Sequence, residues 1–370
     1  MISFEEKVKK ITLDHGVIIN GDKPWDMQVK NDKFYQRLIL NGSLGLGESY
    51  MDGWWEAKRL DEFFFKIMST GAGRNLSSAS QYINKLKALI TNRQSKSRSK
   101  QVAEQHYDLS NEFYKDMLDS RLQYTCAYWK NAKNLEEAQK NKLDLSCKKL
   151  KLKKGDRVLE LGCGWGGFAK FAVENYGCEV IAYNISAEQV KYARENCQGL
   201  PATFIHADYR EAVGEFDKVA AIGVAEHVGY KNYRGLMEVA HRSLKPHGLF
   251  LLHSIATNIS TTICDPWFDK YIFPGGMLPS ISQLGEAMEG LFVMEDWHNF
   301  GPDYDKTLMA WYENFDKNWS KHKDQFGEKF YKMWEYYLKS LAGGFRARHI
   351  QLWQVVMSKD GISGGYESVR

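Results

Sequence analysis

The sequence predicts an α/β protein built on a seven-stranded, mostly parallel sheet with helices on both faces. Seven short apolar segments follow one another along the chain after residue 150, and the early ones alternate with segments of helical periodicity. Strands that are separated by helices are typical of parallel sheets with crossover connections. A long helical insertion, Tyr304 to Phe345, separates the last two strands. The predicted strands are Arg157–Leu161, Glu179–Asn184, Thr203–Ala207, Lys218–Ile222, Leu249–Ile255, Phe292–Trp297 and Ile350–Ser358.

A small N-terminal domain precedes this sheet. Residues 92–100 are polar, basic and rich in serine, which is typical of a linker. They divide the chain into an N-terminal domain of residues 1–91 and a larger domain of residues 101–370. Aromatic and aliphatic residues cluster between Trp54 and Met68. We interpret this cluster as the core of the N-terminal domain, with a lipid-facing surface as the alternative.

Charge is unevenly distributed along the chain. The net charge is +4, and the segment from Arg74 to Lys100 has seven Lys or Arg residues and no Asp or Glu. One basic segment is most often a solvated face. The alternative is contact with an anionic membrane, where each basic side chain contributes about 1 kcal/mol. No base-reading module is present, so we expect no nucleic-acid partner.

Cysteine usage and hydropathy predict the compartment. The six cysteines have neither CxxC nor zinc-ligand spacing, so we expect a reduced, cytoplasmic protein without a metal site. No apolar segment approaches the ~18 residues needed to span a bilayer. The first ten residues are charged and lack the apolar centre of a signal peptide.

A glycine-rich turn follows the first strand of the predicted sheet. Residues 158–167 read VLELGCGWGG, and an apolar helical segment comes next. Strand, glycine turn and helix in this order predict a nucleotide-type binding site, although a tight turn in any α/β protein is the alternative. The second strand ends in the neutral Asn184, where a dinucleotide site would have an acid. The carboxylate lies earlier, at Glu160, and suits a ligand with a cationic end. This pattern resembles the first motif of S-adenosylmethionine-dependent methyltransferases.

Four further segments resemble one family of these enzymes. Together with the glycine turn they closely resemble the cyclopropane-fatty-acyl-phospholipid synthases, which include the mycolic acid cyclopropane synthases. The resemblance covers the chain from about residue 100 to the end and extends into the N-terminal part. It implies a Rossmann-like class I methyltransferase fold, with residues 101–370 as the catalytic domain. The four segments are HYDLS at 106–110, QYTCAYW at 123–129, EHVG at 226–229 and YIFPGG at 271–276.

The resemblance implies a reaction on lipid. Such an enzyme transfers a methylene from S-adenosylmethionine to the cis double bond of an unsaturated acyl chain in a membrane phospholipid. A carbocation forms, a bound bicarbonate removes a proton, and a cyclopropane ring closes. The residues that match the family's bicarbonate cage are the Glu226 carboxylate, His253, the Tyr304 hydroxyl, the backbone of Cys126 and the amide of Ile255.

The same resemblance implies the residues that bind S-adenosylmethionine. They come from the segment before the sheet and from the ends of the first four strands. Asn184 departs from the family, where threonine is common at this position, and either side chain can hydrogen-bond a ribose hydroxyl. The predicted cofactor-binding residues are Tyr124, Thr125, Glu160, Gly162, Gly164, Asn184, Ile185, Gln189, Asp208, Tyr209 and Gly223.

Two alternatives remain open at the level of sequence. One is a methyltransferase of the same fold that makes a methyl-branched lipid or methylates a small amine. The bicarbonate cage argues against the amine, because amine methylation needs no such base. The other is a non-catalytic lipid-binding protein, against which the intact set of Glu226, His253 and Tyr304 argues. The resemblance also implies a homodimer that associates peripherally with the inner face of the membrane.

Overall fold

The computed structural model describes residues 3–69 and 110–370. Contacts divide these residues into two compact units. The first consists of residues 3–69, 262–274 and 304–350, and the second of the remaining residues from 110 onward. The predicted linker, the basic segment from Arg74 to Lys100 and all but the last residue of the HYDLS segment lie outside the described residues. Two segments that the sequence interpretation placed in the larger domain, 262–274 and 304–350, group with the N-terminal part.

The first unit is mainly helical. A short antiparallel pair, β1 (Gln28–Val29) and β2 (Trp55–Glu56), accompanies its helices. Trp55 is fully buried with its ring 5.0 Å from that of Phe63, and Phe64 lies edge-on to Tyr336 at 5.1 Å. The aromatic cluster is therefore a core, as predicted, and its buried members are not a lipid-facing surface. The helices are Phe4–Asp14, Lys33–Met51, Leu60–Ser69, Pro266–Tyr271, Pro302–Asn318 and Lys323–Arg346.

The second unit is built on a sheet with the strand order β5-β4-β3-β6-β7-β9-β8. Strands β3 to β7 pair in parallel, and β8 pairs antiparallel with β9. All seven predicted strands are confirmed, and β7 is longer than predicted. The strands are β3 Arg157–Leu161, β4 Glu179–Asn184, β5 Ala202–His206, β6 Phe216–Ile222, β7 Leu244–Thr257, β8 Val293–Asn299 and β9 Ile350–Ser358.

Alternation along the strands creates two hydrophobic cores, one on each face of the sheet. Leu159 and Phe250 belong to one core, whereas Val158 and Phe168 belong to the other. Helices cover both faces, so the predicted fold class is confirmed. None of the helices in the described residues is long and apolar enough to cross a bilayer. The helices of this unit are Asn111–Met117, Leu135–Lys149, Gly167–Tyr176, Ala187–Asn196, Ala225–Val228, Tyr233–Ser243 and Ile281–Met288.

Candidate active site

The strand order reverses at β3, which has β4 on one side and β6 on the other. In an open α/β sheet, ligands bind at such a reversal, outside the carboxyl ends of the strands. Four predicted cofactor-binding residues end or follow strands at this edge: Gly162 after β3, Asn184 in β4, Asp208 after β5 and Gly223 after β6. The topology therefore gathers them at the position where a ligand is expected.

The glycine turn after β3 is shaped by left-handed backbone. Gly162 and Gly164 have φ values of 78° and 51°. A Cβ at Gly162 would lie 2.6 Å from Val224, whereas a Cβ at Gly164 would meet nothing within 4 Å. Asn184 steadies the turn, since its amide nitrogen donates to the carbonyl of Gly164 at 3.2 Å and to the Gln189 side chain at 2.8 Å. The open side of Gly164 fits a ligand that approaches the main chain.

Replacing Gly164 by alanine tests whether this open side faces the cofactor. A β-carbon in left-handed backbone costs about 1 kcal/mol of stability, and here its methyl group would also occupy the space of a ligand. We expect Gly164→Ala to weaken S-adenosylhomocysteine binding at least about tenfold by calorimetry. The matched control is Gly199→Ala, since Gly199 has φ +82° and equally open space but lies in an exposed turn. Equal binding by both variants would contradict the placement.

The side chain of Gln189 does not complete the capping box that its spacing from Ser186 predicts. Ser186 and Gln189 have the spacing of a capping box at the start of helix Ala187–Asn196. The Ser186 side chain does accept from the backbone amide of Gln189. The Gln189 side chain, however, accepts from Asn184 instead of returning to the cap. It therefore links the helix to the end of β4, next to the glycine turn.

Glu160 is the buried carboxylate of the glycine motif. Its pKa is raised to about 8 by burial, an effect that Lys142 and a hydrogen bond from the Ala169 amide oppose. Its Oε2 atom is buried and makes no hydrogen bond to any residue in the described ranges. A carboxylate oxygen without a partner fits a cationic group, which is the end of S-adenosylmethionine that the sequence assigned to Glu160.

Lys142 is a buried cation beside the predicted cofactor residues. It is 0% exposed, and burial lowers its pKa to about 8. Its ammonium group donates to the side chains of Gln123 at 2.5 Å and Thr125 at 2.9 Å. Lys142 therefore anchors the QYTCAYW segment from the helix Leu135–Lys149 and places a positive charge near Glu160.

The QYTCAYW segment is also held through its backbone. The Gln139 side chain donates to the carbonyl of Thr125 at 2.9 Å, and the amide of Trp129 donates to Asp303 at 2.8 Å. Cys126 is fully buried, and its thiol donates to the carbonyl of Ala127. Cys126 thus contributes packing, and the part of its backbone in an anion cage remains a prediction. Tyr124, next to it, packs edge-on against Tyr114 at 5.4 Å.

Three further cofactor candidates lie near the ends of β4 and β5. Asp208 caps the short 3₁₀ helix after β5, and Arg210 pairs with both of its carboxylate oxygens. Burial raises the pKa of the neighbouring Tyr209 to about 12. The carbonyl of Ile185 contacts His206 at 3.0 Å. Their contact with the cofactor remains a prediction, and the Asp208 carboxylate already has a cationic partner in Arg210.

Glu226 lies at the start of the short helix after β6. Its Oε1 atom accepts from the Ile255 amide at 2.6 Å, and its Oε2 atom is buried without a hydrogen bond to any described residue. Burial raises its pKa to about 7. The resemblance assigned the Ile255 amide to a bound anion, but in the structure this amide donates to Glu226 and positions the carboxylate.

His253 is 1% exposed on β7, two residues before Ile255. Burial and the nearby ammonium groups of Lys142 and Lys149 hold its pKa well below its usual value. Its Nδ1 atom contacts the side-chain nitrogen of Gln354 at 3.3 Å. Its Nε2 atom is buried and has no hydrogen-bond partner among the residues that the structure describes.

The second unit thus brings together Glu226, His253 and Ile255, whereas Tyr304 belongs to the first unit. Tyr304 is buried there, with its ring 4.6 Å from that of Phe345. Its part in an anion cage remains a prediction.

Comparisons with known proteins show the family of this chain. The family model described as mycolic acid cyclopropane synthetase matches residues 94–355. The chain belongs to this family. It is 50% identical to the cyclopropane-fatty-acyl-phospholipid synthase of Escherichia coli strain K12, over 96% of this chain and 93% of that protein.

Solved structures of cyclopropane synthases are also similar. The mycolic acid cyclopropane synthase CmaA1, complexed with SAH and CTAB, is 30% identical with a TM-score of 0.65, over 70% of this chain and 98% of that one. The synthase MmaA2 from Mycobacterium tuberculosis is 28% identical with a TM-score of 0.66, over the same shares. As a member of the mycolic acid cyclopropane synthetase family, the chain is an S-adenosylmethionine-dependent methyltransferase.

Three buried polar residues that contact residues of the candidate site or lie beside them were not predicted from the sequence: Lys142, Ser146 and Gln354. Lys142 and Ser146 share a helical face with the apolar Leu135 and Ala138, so helical spacing places them on the buried side. Gln354 interrupts the otherwise apolar centre of β9. A polar residue at a core position was the available signal in each case.

Proposed function

We propose that this enzyme converts the cis double bond of an unsaturated acyl chain in a membrane phospholipid into a cyclopropane ring. S-adenosylmethionine supplies the carbon as an activated methyl group. A carbocation on the acyl chain then loses a proton to a bound bicarbonate before the ring closes. The identity to the Escherichia coli synthase over nearly the whole chain supports the substrate class.

The observation that carries this proposal is a pair of buried polar atoms beside β7 that lack hydrogen-bond partners among the described residues. Oε2 of Glu226 and Nε2 of His253 are both buried, and neither has a hydrogen-bond partner among the described residues. A buried polar atom without a partner costs about 1–3 kcal/mol, so a ligand that pairs with it is expected. Bicarbonate has both an O–H group and acceptor oxygens, and therefore complements a carboxylate and a ring N–H.

The raised pKa of Glu226 suits this task. A fully ionised carboxylate would repel an anion, but a pKa of about 7 allows a proton to be shared between Glu226 and the bicarbonate. The Ile255 amide fixes the orientation of the carboxylate. In the proposal, Tyr304 completes the anion site with its hydroxyl, as the family resemblance implies.

Aromatic rings near His253 provide a dry environment within the second unit. Phe300 lies edge-on to His253 at 5.9 Å, and Tyr128 and His298 pack on Phe300 at 5.3 and 4.9 Å. An apolar, aromatic wall excludes water that would quench a carbocation, and aromatic faces stabilise cations.

The direct test is an assay with methyl-labelled S-adenosylmethionine and vesicles of a cis-unsaturated phospholipid. We expect the lipid to gain one CH₂ unit and the product to resist hydrogenation of double bonds. Vesicles of the matching saturated phospholipid are the control and gain no label. Unlabelled lipid in both arms would contradict the proposal, and a reducible or methyl-branched product would assign the alternative lipid methylation.

The bicarbonate is tested in the same assay. Buffer stripped of carbon dioxide is expected to lower the rate, and added bicarbonate to restore it. A rate that does not respond to bicarbonate would show that this anion takes no part in the reaction. The proposed lipid product would be unaffected by that result. Peripheral contact with the bilayer follows from the proposed substrate and belongs to this proposal, as does the homodimer that the family resemblance implies.

A further inference from the structure

Gln354 contacts two polar groups in the buried centre of the second unit. It lies on β9, next to β7, and is 0% exposed. Its side-chain nitrogen Nε2 is 3.1 Å from Oγ of Ser146 and 3.3 Å from Nδ1 of His253. One amide group therefore joins the helix Leu135–Lys149 to the histidine of the candidate site.

The direction of these hydrogen bonds is set by Ser146. Its hydroxyl donates to the backbone carbonyl of Lys142 at 2.8 Å, and a carbonyl can only accept. With its single hydrogen committed, Oγ of Ser146 can only accept from Gln354. The amide nitrogen of Gln354 has two hydrogens, so one goes to Ser146 and the other points at Nδ1 of His253.

The opposite orientation of the amide is poorer. If the carbonyl oxygen of Gln354 occupied the nitrogen position, it would face the lone pairs of Ser146 without a hydrogen between them. At most one of the two contacts would then be favourable, whereas both are favourable in the orientation observed. Since an amide nitrogen cannot accept, Nδ1 of His253 must be unprotonated.

The proton of His253 is then on Nε2. The ring is buried, and the ammonium groups of Lys142 and Lys149 disfavour a second proton, so it is neutral. A neutral imidazole with an accepting Nδ1 has its N–H at Nε2, the atom that lacks a partner among the described residues. The ring thus presents one donor to whatever binds there.

We propose that Gln354 is a positioning residue that holds His253 in the neutral Nε2–H tautomer. His253 is then a hydrogen-bond donor to a bound anion and cannot accept a proton at Nε2. The inference rests on the proposed function for its catalytic consequence, which is that the proton lost before ring closure goes to the anion and not to the histidine. The tautomer itself is a property of the resting enzyme.

The experiment is nitrogen NMR on enzyme labelled with ¹⁵N at histidine, with the His253 signals identified by their loss in His253→Asn. We expect an unprotonated shift at Nδ1 and a protonated shift at Nε2. In Gln354→Glu, the carboxylate accepts from Nδ1–H, and the protonated shift is expected to appear at Nδ1. Turnover of that variant should fall at least about 100-fold, as replacing a tautomer-setting partner does in other enzymes.

Two further variants separate this role from a structural one. Gln354→Met removes the donor without introducing a charge, and Ser146→Ala removes the acceptor that orients the amide. Both should give a mixture of the two tautomers and a lower kcat, with little change in KM or in S-adenosylhomocysteine affinity. A protonated Nδ1 in the unmodified enzyme, or full turnover by Gln354→Glu with the tautomer reversed, would overturn the proposal. If the predicted tautomer is found but lipid stays unlabelled, the proposed reaction is wrong and the positioning role stands.

Discussion

Glu226→Gln is expected to lower kcat by at least about 100-fold, because the variant keeps the shape of the side chain but cannot share a proton with the anion. Affinity for S-adenosylhomocysteine should stay within about twofold, since Glu226 lies beside β7 and not in the glycine turn. The measurement is steady-state kinetics with unsaturated vesicles, combined with calorimetry. The control is Glu238→Gln, which removes an exposed carboxylate that pairs with Arg234. Unchanged turnover in Glu226→Gln would contradict the assignment of that residue.

The same variant has a predicted effect on stability. The folded-state pKa of Glu226 is about 7, above the ordinary 4.5, so the folded protein holds this proton more tightly than the unfolded chain. The free energy of unfolding therefore falls as pH rises from about 4.5 to about 7, and the loss persists above that range. Glutamine does not ionise, so Glu226→Gln should be more stable than the unmodified enzyme at pH 8. At pH 4 this difference disappears, which thermal unfolding at both values can measure.

Lys142→Met is expected to weaken S-adenosylmethionine binding at least about tenfold at pH 7.5. Methionine leaves the side chains of Gln123 and Thr125 without their donor, so the QYTCAYW segment loses an anchor. It also removes the positive charge that opposes the raised pKa of Glu160. That pKa then rises further above 8, and a neutral Glu160 pairs poorly with a cationic ligand.

Calorimetric titration across pH distinguishes these two effects. If the loss of cofactor affinity results from a neutral Glu160, the affinity of Lys142→Met should recover partly at high pH, where the carboxyl group ionises. Lys140→Met is the matched control, because Lys140 is exposed on the same helix. Equal affinity in the two variants at pH 7.5 would show that Lys142 does not support the cofactor site.

The two buried carboxylates, Glu160 and Glu226, have different surroundings. Glu160 and Glu226 each have a raised pKa and one oxygen without a hydrogen bond to a described residue. Lys142 lies near Glu160, whereas the Ile255 amide is the partner of Glu226. In the proposed function, a cationic ligand beside Glu160 would stabilise its ionised form, whereas Glu226 would share its proton with a bound anion.

Local patterns were sufficient for the strands and for the glycine turn. Buried parallel strands are continuous apolar runs, so Glu179–Asn184 and Arg157–Leu161 were predicted with the bounds that the structure shows. The antiparallel pairing of β8 with β9 could not be predicted from the sequence, because it joins segments that a long helical insertion separates. The same separation hid the grouping of residues 304–350 with the N-terminal part.

The sequence by itself determined the fold class, the family and the residue types of the site, because these depend on short-range periodicity and on motifs that are continuous in the chain. Only the tertiary structure decided which polar atoms of the site hydrogen-bond to other residues of the described ranges and which can bind a ligand. The Ile255 amide is occupied by Glu226, and Gln354, from the last strand, sets the proton on His253. These two pairs of hydrogen-bond partners are 29 and 101 residues apart in the chain. The packing of the strands brings them together, and no local pattern encodes that choice.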